Sequence, residues 1–166
     1  MKLLLEEFLD VLKLHAELYR SLLSVLKEEH EAIIESRLEK LNDVNSEKKA
    51  LILKIQNLED RRRTMLERLA DAVERPVQDL TLEKLFEFTE EPYSNRLKTS
   101  RANLLSLTKK VREANDSNKS LLTHSVDQVK GSMVLLNNLI ASNAVYYRSG
   151  KIQNNDKSGR VFSSEI

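Results

Sequence analysis

The sequence predicts an all-α protein, an elongated antiparallel three-helix bundle whose first two helices form a coiled-coil hairpin and whose third helix is long. Only three glycines and two prolines occur in 166 residues, which is too few turn-forming residues for a sheet protein. Aromatic residues make up 5% of the chain and charged residues 32%, so aliphatic side chains must build the core. We expect one helical domain over residues 1–141 and a flexible C-terminal tail over 142–166.

The first predicted helix covers about residues 2–35 and carries a wide apolar face. Apolar residues recur every seven positions, and further apolar rows run beside the first one. The first row consists of Leu5, Leu12, Tyr19, Leu26 and Ile33. A face of this width exceeds the stripe that one neighbour would cover, so we expect this helix to contact two others.

The second predicted helix covers about residues 36–74. Ser36 and Glu39 match the spacing of a capping box, in which a hydroxyl and a carboxylate bind the free amides at a helix start. No glycine or proline marks this break, so one unbroken helix over both segments is the alternative. Apolar residues then recur in alternate steps of three and four, which is typical of a coiled coil. The core positions are Leu41, Val44, Lys48, Leu51, Ile55, Leu58, Arg62, Met65, Leu69 and Ala72.

Two of these core positions are basic, Lys48 and Arg62. Their long side chains can pass along the core while the charged groups stay in water. Alternatively, a hairpin that turns at Ser36 places Lys48 opposite Ser24 and Arg62 opposite Asp10. An ion pair of Arg62 would then fix the register of the two helices. The acidic candidates for this pair are Asp10, Glu6 and Glu7.

A connector over residues 75–91 follows, since Pro76 ends the second helix. The apolar patch from Leu80 to Phe88 is expected to form one or two helical turns that pack over the end of the bundle. The third helix is predicted over about 92–141, with Pro92 in its first turn.

Asn115 and Asn118 are three residues apart on the inward face of the third helix. Asparagine at core positions can select one helix register at some cost in stability. We therefore expect both residues to belong, with Lys48 and Arg62, to a structural polar core rather than to a binding surface.

The third helix is longer than the other two. At about 1.5 Å per residue it would reach about 75 Å, whereas the first two reach roughly 50 to 60 Å. An up-down-up arrangement leaves its last turns without an intramolecular partner unless the helix bends. The apolar side chains there are Val126, Val129, Met133, Leu136, Leu139 and Ile140. An uncovered apolar strip of this kind is a candidate interface.

Composition and motifs argue against several classes of function. The net charge is +1, and the basic run at 61–63 lies beside acidic residues without aromatic residues for stacking, so no nucleic-acid partner is expected. The chain has no cysteine, and no histidine follows a glutamate by three positions, so we expect no metal and no cofactor. Phosphate-binding loops and nucleophile elbows are missing, which favours a protein that is not an enzyme. No apolar run approaches the roughly 20 residues of a membrane span.

Three sequence elements carry a resemblance to a known family. The first is the pair of segments EEHEAIIESRLEKL and EKKALILKIQNLEDRRRTML, which look like that family's opening hairpin through Glu29, Ala32, Ile33, Lys48 and Arg62. The second is NDSNKSLLTHSVDQV, through Asn115, Asn118, Leu121 and Leu122. The third is Tyr146 or Tyr147 followed by Gly150, similar to a short element after the family's third helix. In this order they span most of residues 25–150 and resemble the FlgN family of flagellar export chaperones.

The resemblance implies a cytoplasmic, non-enzymatic chaperone for type III protein export. Such a chaperone binds the C-terminal helical segments of the hook-filament junction proteins FlgK and FlgL, prevents their premature assembly and delivers them to the flagellar export gate. The family binds its clients through the C-terminal part of the chaperone, which agrees with the apolar strip inferred from helix length. Tyr146 and Tyr147 of the tail are then expected to join the strip as client-binding residues.

Two other functions fit the same patterns. The strip could pair with a second copy of the chain, which would make the protein a homo-oligomeric coiled-coil scaffold. Residues 2–26 could also form an amphipathic helix on a membrane surface, although the acidic residues on its polar face would repel anionic lipids.

Overall fold

The structure, a computed structural model, describes residues 1–74, 76 and 81–142, with side chains up to residue 140. Four helices follow one another: α1 spans Lys2–Ile34, α2 spans Leu38–Ala72, α3 spans Leu82–Glu87 and α4 spans Tyr93–Ser142. The described residues contain no strand, so the all-α prediction is confirmed. The bounds of the three long helices lie within two residues of those expected from the sequence.

The chain divides into two compact units, residues 1–122 and 123–166. The first unit holds α1, α2, α3 and most of α4, and it contains all the buried residues among those that the structure describes. The described part of the second unit is the end of α4. The predicted domain over 1–141 and the flexible tail after it stay predictions, because almost all of the tail lies outside the described residues.

The core of the first unit is built around α1, which packs against both α2 and α4. One cluster joins Phe8 and Leu12 of α1 to Leu69 of α2 and Leu97 of α4, all at most 1% exposed. A second cluster joins other residues of α1 and α2 to half-buried side chains of α4. The expectation that the first helix contacts two others is therefore confirmed, and its wide apolar face is the physical reason.

The turn between α1 and α2 is a Schellman motif. Ser36 has a positive φ of 53°, in the left-handed region. Its amide donates to the carbonyl of Ile33 over 3.1 Å, and the amide of Arg37 donates to the carbonyl of Ala32 over 3.0 Å. The predicted break is confirmed, but the capping box with Glu39 is wrong, because Ser36 terminates α1 and α2 begins two residues later.

The short helix α3 packs against the core cluster formed by α1, α2 and α4. Thr81 caps it, since its hydroxyl oxygen accepts a hydrogen bond from the amide of Lys84 over 3.2 Å. Leu85 is 1% exposed and packs in the cluster that includes Leu5 and Leu69. The prediction of one or two helical turns in the connector is confirmed, whereas their position over the end of the bundle stays a prediction.

Candidate functional site

A buried carboxylate connects three helices in the first unit. Glu29 of α1 is 2% exposed. One of its oxygens pairs with Nζ of Lys48 on α2, and the other accepts a hydrogen bond from Nδ2 of Asn118 on α4 over 3.0 Å. A buried charge destabilises a fold unless it is both paired and hydrogen-bonded, and Glu29 meets both conditions. We call Glu29, His30, Lys48 and Asn118 the Glu29 cluster.

Both polar atoms of the Asn118 side chain are hydrogen-bonded. Nδ2 also donates to the carbonyl of Leu26 over 2.7 Å, and Oδ1 lies 2.9 Å from Nδ1 of His30. An amide oxygen can only accept, so Nδ1 of His30 carries the proton and donates it. Asn118 is 3% exposed and contacts α1 through three groups, which restricts the rotation of α4 against α1.

Sequence reasoning missed Glu29 as the partner of Lys48. The signal was present, because Glu29 follows Leu26 by three positions and precedes Ile33 by four, which places a carboxylate in the apolar row of α1. The expectation that Lys48 lies opposite Ser24 is wrong. The lysine is half-buried, with 19% of its side chain exposed, and it reaches the carboxylate one turn further along α1.

The hairpin is offset because the beginning of α2 does not face the core. Leu38 is 74% exposed, and the first buried residue of α2 is Val44. A residue of α1 that pairs with α2 therefore lies about one helical turn away from the position that a symmetric turn at Ser36 would place opposite its partner. Glu7 and Arg68, whose charged groups are 3.9 Å apart, are displaced from that register in the same direction, by three residues rather than five.

Arg62 binds a carboxylate of its own helix. Its Nε donates to Oε2 of Glu59 over 2.9 Å, and this hydrogen bonding raises the pKa of Arg62 and lowers the pKa of Glu59. Glu6 pairs instead with Arg96 of α4 at 2.7 Å. The register-setting pairs of Arg62 suggested by the sequence, with Asp10, Glu6 or Glu7, are wrong.

His15 lies buried beside the Arg62 pair. Its ring stacks on Tyr19 with 6.2 Å between the centroids, and its Nε2 lies 3.7 Å from Oε2 of Glu59. Within the described part of the chain, this Nε2 has no hydrogen-bond partner. Burial lowers the pKa of His15, and the opposing effect of the Glu59 charge is smaller. Burial therefore disfavours the protonated form of this imidazole.

Asn115 does not share the environment of Asn118. It is exposed, whereas Asn118 is buried and Ala114 is half-buried. The expectation that both asparagines face inward is wrong, because Asn115 is one residue, or about 100°, beyond Ala114 around the helix and so points away from α1. Only Asn118 of the pair can act as a register device.

The end of α4 carries the most concentrated exposed apolar surface among the described residues. Eight large apolar side chains lie there with exposed fractions between 45% and 66%. We call these residues the α4 strip: Val126, Val129, Met133, Val134, Leu135, Leu136, Leu139 and Ile140. Six of them were named from the sequence, which missed Val134 and Leu135 because they lie off the seven-residue pattern. Tyr146 and Tyr147, also named, lie outside the described residues.

Part of the α4 strip continues the helix face that packs inside the first unit. Leu97, Leu107 and Asn118 are buried on that face. Steps of three and four residues lead on from Asn118 through Leu122 to Val126 and along the strip, so the same side of the helix stays apolar. In the first unit this face is buried, and over the strip it is exposed. Contiguous exposed apolar surface of this size is typical of a protein-binding site.

No helix of the described residues has the combination of length and hydropathy that crossing a membrane requires. Comparison with curated proteins and with solved structures found no match. A family model described as FlgN protein matches residues 1–154. That match covers the α1–α2 hairpin, the Glu29 cluster and the whole α4 strip, and it extends over nearly all of the chain. The chain therefore belongs to the FlgN family of flagellar type III export chaperones.

Proposed function

We propose that this chaperone works in the cytoplasm, where it binds the C-terminal helical segments of FlgK and FlgL through the α4 strip and delivers both proteins to the flagellar export gate. The exposure of eight large apolar side chains on one helix end carries the proposal. An amphipathic client helix that packs along this surface would exclude water from both partners. Each large apolar side chain that becomes fully buried would contribute about 1.5 to 3 kcal/mol to the free energy of binding.

Capture of the client also explains how assembly is prevented. A chaperone bound to the C-terminal segments of the junction proteins would block any packing in which those segments take part. Met133 suits a surface that accepts two related clients, because its flexible thioether side chain adapts to different shapes. We propose Tyr146 and Tyr147 as additional anchors, since aromatic residues dominate binding energy at interfaces. Release then requires a competing surface at the export gate.

Calorimetric titration of the full chain with FlgK tests this proposal. The double variant Leu136→Asp with Leu139→Asp places two charges on the strip and is expected to weaken binding by at least about 100-fold. Leu53→Asp is the matched control, because Leu53 is a leucine of similar exposure, 60%, on α2. Circular dichroism should show that all variants keep their helices. Unchanged affinity in the double variant would contradict the assignment of the strip.

A homo-oligomeric scaffold is the second candidate, because the same strip could be covered by another copy of the chain. Sedimentation over a dilution series separates the two functions. A chaperone is expected to give up any self-contacts when FlgK is added, whereas a scaffold stays oligomeric on dilution and does not bind FlgK.

A further inference from the structure

A groove between α1, α2 and α4 in the first unit has a volume of about 340 Å³. Four leucines line it, Leu12 of α1, Leu82 of α3, and Leu104 and Leu105 of α4. Small-molecule sites in proteins have volumes of about 300 to 1,000 Å³, mainly apolar walls and a few polar groups that orient the ligand. The groove has the volume of a small site of this kind. We call it the His15 groove, after the buried polar residue that also lines it.

His15 gives the groove a buried polar atom without a partner. Its side chain is 3% exposed. Its Nε2 faces the carboxylate of Glu59, another lining residue, over 3.7 Å, which is too long for a hydrogen bond. Within the described residues Nε2 has no other hydrogen-bond partner. A buried polar atom in this state destabilises the fold, so a ligand group that bonds to Nε2 would be favoured.

The charges around the groove indicate a neutral ligand. Arg62 binds Glu59, and Arg101 pairs with Glu83 of α3. Burial disfavours the charged form of His15. An ionic ligand would therefore lose its hydration in the groove without gaining an unpaired counter-charge among the lining residues.

The chemistry of Nε2 indicates which polar group the ligand carries. A nitrogen of a neutral imidazole donates or accepts according to the tautomer, and a hydroxyl group can do either. When Nε2 carries the proton, a hydroxyl group that accepts it can donate its own proton to the Glu59 carboxylate. The rings of His15 and Tyr19 stack on each other beside the leucines, so an aromatic body would meet aromatic as well as aliphatic surface.

We propose that the His15 groove binds a small neutral molecule that is mainly apolar and carries one hydroxyl group, such as a phenol. The hydroxyl group bonds to Nε2 of His15, and the apolar body packs against the leucines. Nε2 is closed off from water in the free chain, so the Glu59 side chain, which is 42% exposed, turns aside as the ligand enters. An ion pair as exposed as that of Glu59 adds little to stability, so this movement is not costly. The site lies in the first unit and does not depend on client binding.

Titration of the full chain with 4-ethylphenol tests the proposal. The chain contains three histidines, so proton–nitrogen correlation spectra of the imidazoles can follow His15 separately from His30 and His124. We expect a saturable shift of the His15 Nε2 signal, with a Kd of about 1 mM or below, and no shift at the exposed His124. The absence of a saturable shift at His15 would overturn the proposal.

Two related compounds test the chemical class of the ligand. Ethylbenzene lacks the hydroxyl group, and 4-ethylbenzoate carries a charge in its place. Each should bind at least about tenfold more weakly than 4-ethylphenol, because neither is a neutral partner for Nε2. Binding of either compound as tight as that of 4-ethylphenol would overturn the assignment of a neutral, hydroxyl-bearing ligand.

Two variants test the location, with saturation-transfer spectra of 4-ethylphenol as the measure of affinity. His15→Leu removes Nε2 and should weaken binding by at least about tenfold. Leu105→Trp fills the groove from a position that is 53% exposed, so it should weaken binding as much without disturbing the core. Leu53→Trp, at a similarly exposed position outside the groove, is the matched control and should leave the affinity unchanged. Undiminished affinity in either groove variant would place the ligand elsewhere and overturn the proposal.

Discussion

Nδ2 of Asn118 donates a hydrogen bond over 3.0 Å to Oε2 of Glu29, while the other oxygen of that carboxylate holds Lys48. Two residues 89 positions apart thus share one buried charge, and three helices meet at it. Such a site adds little to the free energy of unfolding, since the cost of removing both charges from water offsets most of their mutual attraction. It disfavours other registers, because any of them would leave Glu29 buried without its partners.

Removal of the lysine should therefore be strongly destabilising. Lys48→Met leaves the Glu29 carboxylate buried without a counter-charge, and we expect the free energy of unfolding to fall by about 3 kcal/mol. Urea denaturation followed by circular dichroism measures this change. Lys49→Met, at an exposed neighbouring position, should change stability by less than about 0.5 kcal/mol. Adding Glu29→Leu to Lys48→Met should recover part of the loss, and no recovery would show that the lysine stabilises the fold by other means.

Asn118 and Asn115 provide a matched pair of substitutions. Asn118→Leu removes the hydrogen bonds to the carbonyl of Leu26, to Glu29 and to His30, so it should lower the free energy of unfolding by about 2 kcal/mol. Asn115→Leu makes the same chemical change at an exposed position and should be nearly neutral. Thermal unfolding of both variants measures the difference. Equal effects would contradict a structural role specific to Asn118.

Stability should fall on mild acidification because of His15. Burial lowers the pKa of His15 below its ordinary value of 6.5. As the pH falls, the unfolded chain binds a proton at His15 before the folded chain does, so the free energy of unfolding decreases below about pH 6.5. The contribution of neutral His15 to the free energy of unfolding is complete above the pKa that His15 has in the unfolded chain. It is lost as the pH falls toward the lower pKa that His15 has in the folded chain.

Urea titrations between about pH 7.5 and about pH 5.5 measure this dependence. His15→Gln cannot take up the proton, so its stability should vary less with pH over that range than the stability of the unmodified chain. His124→Gln, at an exposed position, should keep the original dependence. If His15→Gln showed the same slope as the unmodified chain, another group would have to be responsible.

Ser36 should be replaceable by glycine with a gain in stability. It occupies the left-handed region at φ 53°, where a residue with a Cβ atom is disfavoured by about 1 to 2 kcal/mol and glycine is not. After the larger entropy of the unfolded glycine is subtracted, Ser36→Gly should raise the free energy of unfolding by up to about 1 kcal/mol. Ser46→Gly, at an exposed position inside α2, should lower it by a similar amount, and denaturant titration of both variants shows whether the signs are opposite.

Much of the candidate site was predictable because it depends on local pattern. The period of the apolar residues located the three long helices, and the lack of a partner for the last turns of the third helix pointed to six of the eight residues of the α4 strip. Val134 and Leu135 were not predicted because they lie off the seven-residue pattern, although they are as exposed as the others. The charge-free segment from Gly131 onward was the signal that could have found them.

The partners of the polar residues were not predictable in the same way. Arg62 was paired with the acidic residues near the start of α1 by assuming a symmetric turn, and the Schellman motif at Ser36 with the exposed first turns of α2 shifts that register. The sequence by itself determined the helices, their apolar faces and the apolar end of α4, because these follow from spacing within one segment. The tertiary structure alone decided that Glu29 joins Lys48 to Asn118 and that Asn115 faces water, because such contacts depend on the offset and rotation of whole helices, to which the packing of many distant residues contributes.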